Sequence, residues 1–135
     1  MNFLQVALDA EKVANTFSKF VAHLPEDAGN ITSVVTELFT IGANLRSLEA
    51  LHNSPLRSNF DYINNDVVVV KASFLHTIRV INGVFLAMDD DGRAQPSHQN
   101  VRMAWLRLCD YFHREAGYPL SVRLQYYKQF LTPLV

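Results

Sequence analysis

Residues 57–88 read RSNFDYINNDVVVVKASFLHTIRVINGVFLAM, and the apolar positions in this stretch decide the fold. The spacing between successive apolar residues alternates between three and four, a pattern that only a helix keeps on one side. The positions concerned are Phe60, Ile63, Val67, Val70, Phe74, Ile78, Ile81, Phe85 and Met88. An unbroken helix over this stretch is roughly 45–50 Å long at 1.5 Å per residue. The pattern therefore predicts one long central helix that the rest of the chain covers.

The same stretch also contains a competing strand signal. The four valines at 67–70 are strongly β-prone, and Asn82-Gly83 is the dipeptide most typical of a two-residue hairpin. A hairpin from His76 to Met88 is therefore the alternative structure. Strands would leave the large apolar residues of the stripe on mixed faces, whereas a helix keeps them together, so the helix is favoured.

Four other stretches show helical periodicity, and proline or glycine separates them. Leu24-Pro25 ends the first, and Gly117-Tyr118-Pro119 lies between the last two. Asn30 is available to cap the second. The predicted helices cover about residues 3–24, 31–52, 58–88, 97–115 and 120–131. Together they predict an all-α, up-and-down bundle of about five helices in a single domain, residues 1–135.

Gly42 lies on the apolar side of the second predicted helix. Glycine costs about 1 kcal/mol relative to alanine in a helix interior. We therefore expect another helix to approach closely at this position.

Composition and residue usage suggest a location. The longest purely aliphatic run, Val67 to Val70, is much shorter than the roughly 20 residues that span a bilayer. The start of the chain lacks the basic region of a signal peptide. Cys109 is the single cysteine and forms no internal disulfide. These features predict a cytoplasmic protein.

Charge is divided unevenly along the chain. Residues 1–91 contain six basic and eleven acidic residues, whereas residues 92–135 contain six basic and two acidic ones. One interpretation is that basic C-terminal helices pack beside acidic N-terminal helices. The alternative is a surface for an anionic group or an acidic partner.

Basic and aromatic residues alternate near the C-terminus and form the candidate contact site. The residues predicted to contact a partner or an anionic surface are Arg102, Arg107, Arg114, Arg123, Lys128 and Tyr126. Arginine and tyrosine are enriched at protein interfaces. A pI of about 6.5 makes nucleic acid an unfavourable partner. Salt bridges within the bundle are the other explanation for these residues.

Three patterns in the sequence bear on catalysis or metal binding. Cys109 and His113 are four residues apart on one helix, but no orienting group or nucleophile motif accompanies them. Zinc would need two more ligands at suitable spacings. A calcium loop from Asp89 would need glycine and a bidentate acid where Ala94 and Asn100 stand. The sequence predicts no enzymatic activity, no metal and no cofactor.

Five stretches carry a resemblance to known proteins: residues 4–14, 37–48, 105–107, 111–112 and 117–131. They resemble uncharacterised fungal helical proteins, which are similar to the N-terminal helical domains of fungal STAND proteins, the set that includes HeLo-like domains. The resemblance implies an all-helical bundle used for signalling or self-association in incompatibility and immune-like pathways. Some relatives disturb membranes through a strongly hydrophobic first helix, which charged residues interrupt here.

The sequence also lacks the GxxxxGK[ST] loop of the nucleotide-binding module that larger members have. The sequence ends at Thr132-Pro133-Leu134-Val135, so a short member of the group, or a domain excised from one, is expected. The expected function is that of an intracellular interaction domain that binds a protein, including a second copy of itself. The alternative is a peripheral membrane or lipid-binding bundle that uses its basic C-terminal helices.

Overall fold

A computed structural model describes residues 3–53, 64–89 and 98–134, and within these ranges the chain is almost entirely helical, with no strand. The α-helices are α1 (Phe3–Phe20), α2 (Ala28–His52), α3 (Asn64–Asp89), α4 (His98–Ala116) and α5 (Leu120–Leu131). The prediction of an all-α bundle of about five helices is confirmed.

The hairpin alternative is wrong, because Asn82 and Gly83 both lie inside α3. The apolar stripe faces the core as predicted, and its buried members are Val67, Phe74, Ile78 and Ile81. Packing of this stripe outweighs the strand preference of the valine run. The predicted start of the helix, between residues 58 and 63, and the stripe positions Phe60, Ile63, Phe85 and Met88 lie outside the described side chains.

The connection between α1 and α2 is shorter than predicted. A 3₁₀ turn, Val21–His23, continues α1 as far as Leu24, and a second turn, Pro25–Asp27, leads directly into α2. The helix therefore begins at Ala28 rather than at 31, and Asn30 lies in its first turn. The predicted cap is wrong: Asp27 occupies the N-cap position and makes no side-chain capping bond.

The last two helices have nearly the boundaries that the sequence predicts. Gly117 has a φ of 77° and donates its backbone N–H to the carbonyl of His113 at 2.8 Å, which terminates α4. Pro119 is extended and immediately precedes α5. Thr132–Leu134 forms a 3₁₀ turn after that helix. The acidic run at 90–91 and the predicted start of α4 at 97 lie outside the described residues.

Within the described ranges, α2 makes the most extensive helix contacts, first with α1 and then with α5. A Cβ at Gly42 would stand 3.2 Å from Glu11 Cγ and 3.6 Å from the Ala7 carbonyl oxygen, so the expected close approach is confirmed. Arg46 then holds the Glu11 carboxylate through two hydrogen bonds of 2.8 and 2.6 Å. The stripe of α3 packs mainly against α1 and α4. Helix α2, rather than α3, therefore has the larger share of the packing.

Candidate interaction surface

Helix α4 presents two faces of different character. Its inward residues are Val101, Ala104, Trp105, Leu108 and Phe112, all of which are buried. Its outward residues are spaced by three or four and are all exposed: Met103, Leu106, Arg107, Asp110 and Arg114. We call these five residues the α4 outer stripe. Met103 and Leu106 are about half exposed (49% and 50%), so the stripe carries two large apolar side chains in solvent.

A groove of about 520 Å³ lies beside the stripe, where the first turns of α2 and α5 meet α4. Its lining residues are Asn30, Val34, Trp105, Leu106, Cys109, Asp110, His113, Pro119, Leu120 and Ser121. Most of the surface that lines the groove is apolar. Leu106 and Asp110 belong to both features, so the groove and the α4 outer stripe form one continuous surface.

Helical periodicity over 97–115 predicts an inward apolar side that Leu106 broadens, and it gives Met103 no role. The structure places Leu106 outward because α4 turns its opposite side, with Trp105 and Leu108, toward the core. The three-residue spacing between Met103 and Leu106 was the available signal. Periodicity alone shows that two residues share a side, but another helix decides whether that side is covered.

Cys109 and His113 both line the groove, so the spacing of four does bring them to one site. Burial, together with the negative charge of Asp27, raises the pKa of the Cys109 thiol to about 11. A nucleophilic cysteine needs the opposite shift, toward the thiolate. Among the described residues, no three His, Cys, Asp or Glu side chains are grouped to hold a metal ion.

The six predicted contact residues divide into two groups. Arg102, Arg107 and Arg114 are exposed on α4, and Tyr126 is exposed on α5, edge-on to Tyr118 with ring centroids 5.4 Å apart. Arg123 and Lys128 instead form partly buried ion pairs with residues of other helices. The structure therefore does not bring all six together in one surface.

Arg123 is held in a polar network between α3, α4 and α5, with only 12% of its side chain exposed. Its Nε donates to the Tyr127 hydroxyl at 3.0 Å, and its terminal nitrogen donates to Glu115 at 2.8 Å. The same hydroxyl lies 2.7 Å from Ser73 Oγ and 3.1 Å from Thr77 Oγ1. Sequence analysis missed this network, because nothing in the spacing of its members along the chain predicts that they meet.

The carboxylate of Glu115 joins the outer end of this network to α3. Its oxygen lies 3.7 Å from His76 Nε2. The hydrogen bond donated by Tyr111 is the main reason that the pKa of Glu115 is below its usual value; burial opposes this effect, and Arg123 adds to it. The Glu115 carboxylate therefore interacts with other residues of this chain, although it lies on the same helix as the α4 outer stripe.

Lys128 pairs with Glu37 on α2, whose side chain is 9% exposed. The ammonium donates to Oε1 at 3.1 Å and lies 3.0 Å from Oε2, which receives no well-directed hydrogen bond. Arg102 similarly lies 3.4 Å from Glu26, which precedes α2. These two pairs support the interpretation that basic C-terminal helices pack beside acidic N-terminal segments.

Helix α3 presents a second apolar surface. Residues 65–84 are long and apolar enough to cross a membrane, judged by length and composition. The criterion of an uninterrupted aliphatic run missed this helix, because a span can include scattered polar residues. Only 28% of the most apolar part of this segment is buried in the bundle, and Val69 is 68% exposed. The core helix of a helical bundle has the same length and composition.

Comparisons with protein families, with curated proteins and with solved structures found no match to this chain. The resemblance to the N-terminal domains of fungal STAND proteins therefore stays a prediction from the sequence.

Proposed function

We propose that this chain is a non-enzymatic helical interaction domain that binds a protein partner, either another protein or a second copy of itself. The cytoplasm is the proposed location, and a role in signalling follows from the sequence resemblance alone.

One observation carries this proposal: the exposed apolar residue Leu106 lines the groove, and the exposed Met103 lies one turn away on the same side of α4. The groove has a volume of about 520 Å³, and most of its lining is apolar. Large exposed apolar side chains next to an apolar depression are characteristic of protein interfaces, where a buried anchor supplies most of the affinity.

The raised pKa of Cys109 supports a non-enzymatic role for the groove. A thiol in this environment stays protonated near neutral pH and is a poor nucleophile. Neither Cys109 nor His113 makes a hydrogen bond to an orienting carboxylate among the described side chains. The groove therefore offers shape and apolar contact rather than an activated group.

The test compares the wild-type chain with Leu106→Asp, which places a charge at the mouth of the groove. Val69→Asp is the matched control, because it introduces the same charge at a more exposed aliphatic residue on α3. Sedimentation velocity over a concentration series measures self-association. Affinity capture from an extract of the source organism, quantified by mass spectrometry, measures binding to other proteins.

We expect the wild type and Val69→Asp either to self-associate or to retain the same specific protein, and Leu106→Asp to lose that interaction. Circular dichroism should show the same helix content for all three proteins. A wild-type chain that stays monomeric, and that retains no protein in a Leu106-dependent manner, would contradict the proposal.

The exposed side of α3 favours a second candidate function, binding to a membrane. Insertion of α3 would require its four buried stripe residues to leave the core, at a cost of about 1.5–3 kcal/mol for each side chain. Lys71, whose ammonium lies 5.6 Å from the centre of the Phe3 ring, would also have to leave that contact. Lipid would have to compensate for all of these losses.

Liposome co-sedimentation tests this second function. Membrane binding through α3 predicts that Val69→Asp weakens sedimentation with vesicles and that Leu106→Asp leaves it unchanged. Neutralising Arg123 or Lys128 would be a poor test, because both residues hold the bundle together. If the wild type fails to sediment with anionic vesicles at low salt, membrane binding is excluded.

A further inference from the structure

We draw no further inference here: the strongest candidate, the exposed apolar patch that Met103 and Leu106 form beside the groove, has acidic and basic side chains that offset one another around it, and nothing in the described part of the chain shows what covers it.

Discussion

Replacing Tyr127 with phenylalanine removes one oxygen atom from the point where α3 and α5 meet. That hydroxyl lies 2.7 Å from Ser73 Oγ and 3.1 Å from Thr77 Oγ1, and it accepts a hydrogen bond from Arg123 Nε at 3.0 Å. The ring itself stays in edge contact with Phe74, at a centroid distance of 5.4 Å. The substitution therefore tests the polar contacts with little change in apolar packing.

The change in the free energy of unfolding follows from the hydrogen bonds that the substitution removes. A hydrogen bond to a charged group contributes about 1.5–3 kcal/mol, and a neutral one contributes about 1 kcal/mol. Thr77 retains its bond to the Ser73 carbonyl, so part of the network survives. We expect Tyr127→Phe to lower the free energy of unfolding by about 2–3 kcal/mol. In a domain of this size, that corresponds to a fall in Tm of roughly 6–12 °C.

Urea unfolding followed by circular dichroism and by Trp105 fluorescence measures this change. Tyr126→Phe is the matched control, because Tyr126 is 55% exposed and its hydroxyl makes no hydrogen bond to any side chain in the described ranges. We expect it to change stability by less than about 0.5 kcal/mol. Equal effects of the two substitutions would refute the conclusion that the network joins α3 to α5.

Three further predictions concern other parts of the fold. Gly42→Leu should cost about 1–3 kcal/mol, measured by urea unfolding, because a Cβ there would already stand 3.2 Å from an α1 side chain; Gly83→Leu, which has open space around it, should not be destabilising. Cys109, with a thiol pKa of about 11, should react with iodoacetamide at pH 8 roughly ten- to a hundredfold more slowly than free cysteine, and the rate should still rise above pH 9. The pKa of Glu115 is lowered from about 4.5, so its charged form stabilises the fold above that pH and this contribution is lost in more acidic solution. Unfolding free energies measured across that range should therefore fall less steeply with acid for Glu115→Gln than for the wild type. Equal slopes would count against the stabilisation of the Glu115 carboxylate by Tyr111 and Arg123.

Most of the secondary structure could be predicted from the sequence. The stripe of α3, the stop at Gly117-Tyr118-Pro119 and the close approach at Gly42 all follow from local rules of periodicity, backbone freedom and propensity. The start of α2 was predicted at residue 31 instead of Ala28. Local rules miss such a small shift, because a 3₁₀ turn at Pro25–Asp27 differs from the expected loop by only a few backbone angles.

The candidate site could be predicted only in part. The sequence pointed to basic residues of the C-terminal helices, and three of them, Arg102, Arg107 and Arg114, do lie exposed on α4. It could not separate them from Arg123 and Lys128, because all five have the same charge and similar spacing. The difference arises from Glu115 and Glu37, which lie opposite the latter two in the folded bundle.

The sequence by itself determined that this chain forms amphipathic helices, because side-chain periodicity and the effects of proline and glycine act over a few residues. The tertiary structure decided which helix faces are covered, which charges are paired inside and where the groove opens. Those outcomes depend on residues that are distant in the chain, such as Tyr127 and Ser73, and the free energy of their contact exists only once the helices pack together.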